Sequence, residues 1–163
     1  MVELRKVDPK NLWKIVSLAV KPDQTNFVAT NTESILEAYV TITSGGIALP
    51  FGIYKEDIPV GFVMFTYGSD DETPPVAEGN YCIWRFMIAE PYQRQGLGRE
   101  ALQASLEYLQ TLPCGPAESV WLSYEPHNHG AKALYEAMGF RENGEMCGNE
   151  VVSVRPLDLP VAP

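Results

Sequence analysis

The six residues Gln93-Arg94-Gln95-Gly96-Leu97-Gly98 join an apolar run, Arg85 to Ile88, to a helix-like stretch that continues from Arg99. No other part of the chain constrains its fold as strongly. Glycines without a Cβ let the main chain curl and present its N–H groups. The first turn of the following helix adds a partial positive charge of about half a unit. A strand, a glycine loop and a helix N-terminus in that order form a seat for a phosphate group. The 12 basic and 21 acidic residues leave a net charge of −9, so positive charge at an anion site must be local, and Arg94 and Arg99 supply it beside the glycines. The loop therefore predicts a phosphate-bearing cofactor.

Two common phosphate loops do not fit. Gly96-x-Gly98-x-x-Ala101 matches a loose dinucleotide fingerprint, in which the first glycine follows its strand almost at once. Here seven residues separate Ile88 from Gly96, and only 65 follow Gly98, too few for a second nucleotide-binding half. A P-loop would need Gly-Lys-Ser/Thr, which is absent after these glycines.

The pattern elsewhere predicts one domain, residues 1–163, long enough to bury about 68–70% of the surface of its unfolded chain. Met1 to Lys6 reads as a charged strand start. Asp8 as N-cap, Pro9 at the first helical position and Leu12, Ile15, Val16 and Ala19 on one face predict a first helix ending near Lys21-Pro22. Thr30-x-x-Glu33 is a capping box for a second helix with Ile35, Leu36, Tyr39 and Val40 as its apolar face. Phe51 to Tyr54 and Val60 to Tyr67 predict a hairpin, Tyr81 to Ile88 a central strand covered on both faces, and Ser119 to Tyr124 the next strand. The helix after the glycine loop stops at Pro113-Cys114-Gly115-Pro116, and a short one spans Ala131 to Met138 before Gly139. Glu150 to Arg155 is a last strand, followed by a loose Pro-rich tail over about residues 156–163. The order predicts an α/β (α+β) domain with a mixed sheet and helices on its faces.

Cys82, Cys114 and Cys147 form no paired spacing, so they read as reduced thiols in a cytoplasmic protein. No stretch approaches eighteen apolar residues, which predicts no membrane span, and Met1 to Lys6 lacks the apolar core of a signal peptide. The acidic balance disfavours nucleic acid and anionic membrane as partners and favours cationic ones. His127 and His129 lack ligand partners at metal spacing, so no metal is assigned.

Downstream of the loop stands Asn128-x-x-Ala131-x-x-Leu134-Tyr135-Glu136-x-x-Gly139-Phe140. Gln-x-x-Gly-x-Gly after a strand, followed about thirty residues on by this second motif, resembles the GNAT family of acetyl-coenzyme A dependent N-acetyltransferases, over roughly residues 3 to 155. The resemblance implies a mostly antiparallel sheet whose two central strands splay into a V-shaped cleft. It implies acetyl-coenzyme A as cofactor, Phe86, Met87 and Ile88 along the pantetheine, and Gln93, Arg94, Gln95, Gly96, Leu97, Gly98 and Arg99 around the pyrophosphate. A main-chain N–H near Ile88 becomes the oxyanion donor, a role typically worth about 3 kcal/mol. Asn128 would contact the coenzyme, cap a helix, or do both. Tyr135 matches the tyrosine that protonates the departing thiolate in the family, although its place beside Ala131, Leu134 and Met138 also suits a core tyrosine. A homodimer is a family-level expectation.

The segments Trp84 to Ile88, Val120 to Pro126 and Gly139 to Glu145 look like the bacterial spermine/spermidine acetyltransferase subgroup. That narrower resemblance implies a small cationic amine as substrate, held by carboxylates and aromatic faces, with Glu33, Glu37, Tyr54, Trp84, Tyr124 and Glu125 as candidates. An amine arrives largely as ammonium, with a pKa near 10.4 if lysine-like, and must lose a proton. Some polyamine acetyltransferases carry a glutamate on the central strand where this chain offers Trp84 and Arg85. The base is then Glu125, or a water chain ending on Glu33, Glu37 or Tyr54. Two rivals stay open: another amine, with Arg85 or Arg141 for an acceptor carboxylate, and a non-catalytic coenzyme A sensor.

Overall fold

The computed structural model describes residues 1–161 and forms them into one seven-stranded sheet with helices on both faces. The elements run β1 (Val2–Lys6), α1 (Leu12–Val16), α2 (Asn31–Thr43), β2 (Leu49–Lys55), β3 (Ile58–Tyr67), β4 (Tyr81–Ile88), α3 (Leu97–Gln110), β5 (Ser119–Tyr124), α4 (His129–Ala137), β6 (Arg141–Cys147) and β7 (Glu150–Pro156). The sheet order is β1-β2-β3-β4-β5-β7-β6, and every pairing is antiparallel except β4 with β5. The expected mixed, mostly antiparallel architecture is therefore the observed one.

Alternation along β3 sorts the core into two layers, as the period-two geometry of a strand requires. Val63 and Phe65 face the side covered by α3 and α4, where Leu102, Leu106, Tyr135 and Phe140 pack. Phe62 and Met64 face the side covered by α1 and α2, with Ile15 and Ala38. Gly61 pairs with Ile88 across β3 and β4, and a Cβ there would lie 2.3 Å from the Met87 carbonyl oxygen.

Four expectations need correction. The first helix is only Leu12–Val16. Asp8 does accept from the Lys10 and Asn11 N–H groups, but the buried Asn31 amide donates to the carbonyls of Ile15 (2.9 Å) and Leu18 (3.4 Å), tying off the acceptors that a longer helix would use. The capping box of α2 forms, yet the helix buries Asn31, Ser34 and Ala38. Leu36, Tyr39 and Val40 stay 61%, 68% and 60% exposed. Small residues on the inner face let α2 lie close to the sheet, and only Ile35 of the expected stripe packs inward.

The strand β6 is missing from the sequence reading because it is an exposed edge whose register shifts between Glu142 and Met146, so no alternation marks it. Finally, the tail is held at least to Pro160. The buried Arg155 donates from Nε to the Met138 carbonyl (2.8 Å), and its terminal nitrogens donate to the carbonyls of Pro156, Leu159 and Pro160. Gln110 also donates to Leu157 and Leu159. Residues 162–163 of the expected tail lie outside the described part.

Candidate active site

The strands β4 and β5 pair only at Tyr81↔Val120 and Cys82↔Trp121. Two positions further along β4 comes a bulge, since Met64 pairs with Arg85 and Phe65 with Ile83, leaving Trp84 without an opposite residue. An extra residue bends and twists its strand. β4 therefore swings away from β5, and the gap opens into a cleft of about 630 Å³, within the usual size range of small-molecule sites. Its walls include Ile83 to Ile88 of β4, Ser123 and Tyr124 of β5, and Ala131, Leu134 and Tyr135 of α4.

One end of the cleft is the glycine loop. Gln93 donates from Nε2 to the Ile88 carbonyl (2.9 Å) and to Gln24 (2.8 Å), tying the loop to the end of β4. Gly96 is the N-cap of α3 with φ of +79°, a conformation that costs an L-residue energy, and a Cβ there would meet nothing within 4 Å. The fourteen-residue α3, anchored in the core by buried Leu97, points its N-terminus out of this loop. Gln93, Arg94 and Gly98 border the cleft, whereas Gln95, Gly96 and Arg99 are exposed beside it. Asn128 caps α4 by accepting from the Ala131 N–H (3.3 Å), and it borders the cleft.

Tyr135 stands on the opposite wall, within an aromatic cluster formed with Phe86, Tyr124 and Phe140 at centroid distances of 6.5, 5.8 and 5.9 Å. Burial pushes its hydroxyl well above the ordinary tyrosine value, and the negative charge of Glu150 and the neighbouring Tyr124 push the same way. Its O–H is therefore protonated at every physiological pH. Tyr124 donates to Glu142 at 2.8 Å, and Lys132 joins the same carboxylate at 3.0 Å, which lowers the Glu142 pKa.

The residues expected to bind the amine do not gather as a group. Trp84 and Tyr124 line the cleft. Glu37 is absent from its wall but reaches across from α2 to pair with Arg85, a wall residue, at 2.7 Å. Glu33 completes the α2 capping box, Glu125 accepts from the His127 N–H (2.8 Å), and buried Tyr54 lies under Arg5 on the far side of the sheet edge. None of these three is a wall residue. Sequence reasoning assigned no role to two parts of the wall: the segment from Gln24 to Ala29, between the first two helices, and Glu150 at the start of β7. The segment's polar and aromatic start, Gln24-Thr25-Asn26-Phe27, was the available signal for the first. None marked the second, because its place on the wall comes from the pairing of β7 with β5.

Comparison with known proteins bears on the whole arrangement. Residues 26–140 match the model of the acetyltransferase (GNAT) family. The chain is similar to the spermine/spermidine N(1)-acetyltransferase of Bacillus subtilis, 29% identical over 161 residues that cover 96% of this chain and 99% of that one. Its fold is similar to that of an aminoglycoside acetyltransferase in complex with coenzyme A, with a TM-score of 0.75 at 19% identity over 96% and 95% of the two chains. A spermidine N-acetyltransferase from Vibrio cholerae in complex with coenzyme A and spermine superimposes with a TM-score of 0.68 at 17% identity, over 96% and 95%. At such identities the two superpositions establish the fold alone.

Proposed function

This chain belongs to the acetyltransferase (GNAT) family and is an acetyl-coenzyme A dependent N-acetyltransferase; from that premise we propose that its acceptor is a polyamine of the spermine and spermidine class, acetylated on a primary amine by direct attack in a ternary complex. The observation that carries the acceptor class is the relative that matches this chain end to end and is named for spermine and spermidine.

The cleft fits the coenzyme on its own terms. A glycine at positive φ, an open seat above it, a long helix starting there and Arg94 beside it suit a pyrophosphate. When bound, acetyl-coenzyme A supplies a thioester carbonyl to the amine. In this reading Gln93 to Arg99 hold the pyrophosphate, while Phe86, Met87, Ile88 and Asn128 border the pantetheine. A main-chain N–H near Ile88 stabilises the oxyanion, and Tyr135 donates its O–H to the departing sulfur. None of the three cysteines borders the cleft, which supports direct transfer over a thiol-bound acetyl group. The bases offered by the sequence, Glu125 and the group Glu33, Glu37 and Tyr54, stand off the wall and do not reach a nitrogen in the cleft directly.

The amino-acid acceptor is less well supported. Arg85 is engaged by Glu37 and by the Trp84 carbonyl, and Arg141 is spent on the carbonyls of Glu136 and Phe140. A homodimer belongs to the same proposal, with the exposed stripe of Leu36, Tyr39 and Val40 as the face it would use. Thiol release from acetyl-coenzyme A across spermine, spermidine, lysine, an aminoglycoside and a peptide tests the acceptor. The expected result is a kcat/KM at least about tenfold higher for the two polyamines, the discrimination that 1.4 kcal/mol provides. A higher value for lysine or the peptide would replace the polyamine by an amino acid or protein amine.

A further inference from the structure

Among the described residues Glu150 is the one carboxylate on the cleft wall. It opens β7 and is half-buried. Ser123 of β5 donates from its hydroxyl to Glu150 Oε1 at 2.9 Å, which fixes the carboxylate against the splay of the strands. Oε2 has no hydrogen-bond donor among the described residues, and no lysine, arginine or histidine among them comes within 4.0 Å of either oxygen.

The groups around it leave its charge uncompensated. Tyr135 faces it from α4 as a neutral hydroxyl, and Cys82 on β4 and Cys147 on β6 are thiols that burial keeps protonated. Arg85 shares the cleft, but its guanidinium is paired with Glu37. A carboxylate taken partly out of water normally has a cation beside it. Here the open side of the carboxylate is the side that a ligand in the cleft would occupy.

We propose that Glu150 is the anchor for an ammonium of the acceptor, with Ser123 as its positioning residue, and that the anchored ammonium belongs to a second nitrogen rather than the one acetylated. The second clause follows from proton chemistry. A carboxylate is a far weaker base than an aliphatic amine, so a nitrogen held on it stays protonated and cannot attack. The nitrogen that attacks must be another one, free of the carboxylate. Glu150 therefore selects acceptors with at least two amino groups, a selection that rests on the amine-acetylating reading above.

The test compares a diamine with the monoamine of equal chain length. For the unaltered protein the diamine should have a KM about 10- to 100-fold lower, the range of a hydrogen bond to a charged group. Glu150→Gln keeps the shape and an acceptor for Ser123 but removes the charge. It should abolish that preference while leaving acetyl-coenzyme A affinity unchanged, and Ser123→Ala should weaken the preference several-fold. Calorimetric titration of the diamine into the coenzyme A-loaded protein reads the anchor without turnover.

The anchor is overturned if the preference survives in Glu150→Gln, if the unaltered protein shows no preference, or if Glu150→Gln loses acetyl-coenzyme A binding together with the amine. If Glu150→Gln does not fold, an unchanged preference in Ser123→Ala overturns it. Failure of the underlying reading looks different: the unaltered protein then acetylates neither amine.

Discussion

Replacing Tyr135 by phenylalanine should lower kcat by roughly 100-fold or more, the usual contribution of a positioned proton donor, with the acetyl-coenzyme A dissociation constant unchanged. The ring keeps its contacts with Phe86, Tyr124 and Phe140, so the substitution removes the hydroxyl and little else. Because burial, reinforced by Glu150 and Tyr124, raises the Tyr135 pKa, the donor stays neutral as pH climbs toward 10 and beyond. The kcat profile of the unaltered enzyme should accordingly show no loss of activity below about pH 10 from ionisation of this group. Steady-state kinetics with calorimetric binding checks both points. An unchanged kcat in Tyr135→Phe would make this a core tyrosine and return the thiolate to solvent for its proton.

Arg155→Leu should be the most damaging single change to stability outside the cleft. The guanidinium is buried, and it joins the end of β7 to the Met138 carbonyl at the close of α4 and to the tail carbonyls of Leu159 and Pro160. Leucine leaves the buried Met138 carbonyl without a donor and frees the tail, while water can replace the bonds nearer the surface. The expected cost is about 3 kcal/mol, dominated by the buried unpaired group and lost packing. For a domain of this size that corresponds to a fall in Tm of about 6–12 °C. Since the same bond fixes the end of the helix that carries Tyr135, kcat should fall as well, well below the melting range. Thermal denaturation and kinetics at a fixed low temperature separate the two effects. A Tm within a degree of the parent would mean that water already solvates these carbonyls.

The architecture was legible because its main elements carry local signatures. Gly96 and Gly98 after an apolar run marked the β4–α3 junction, and the Thr30 and Glu33 capping box marked the start of α2. What escaped the sequence depends on contacts between distant residues. The bulge at Trp84, which opens the cleft, exists only in the register of β4 against β3. The short first helix is set by Asn31, fifteen or more residues downstream, and the orientation of α2 by the need for Ser34 and Ala38 at a close approach.

The candidate site divides along the same line. The proposed coenzyme side draws on two local motifs, so Gln93, Arg94, Gly98, Asn128 and Tyr135 could be named beforehand as neighbours of one cleft. The proposed amine side draws on β4, β5, β7 and the loop before α2, and charge type alone could not place its carboxylates. Glu33, Glu37 and Glu125 have the right chemistry but are occupied by a helix cap, by Arg85 and by a turn N–H, respectively. Glu150 has the same chemistry and a place on the cleft wall, through a strand pairing that no local pattern revealed.

The account stands most directly on a single-turnover experiment in which thiol release from acetyl-coenzyme A is followed with and without spermidine, while the amine product is quantified. It predicts thiol only when the amine is present, one for each amine acetylated. A burst of thiol without amine, or none with any amine, would contradict direct N-acetyl transfer in this cleft.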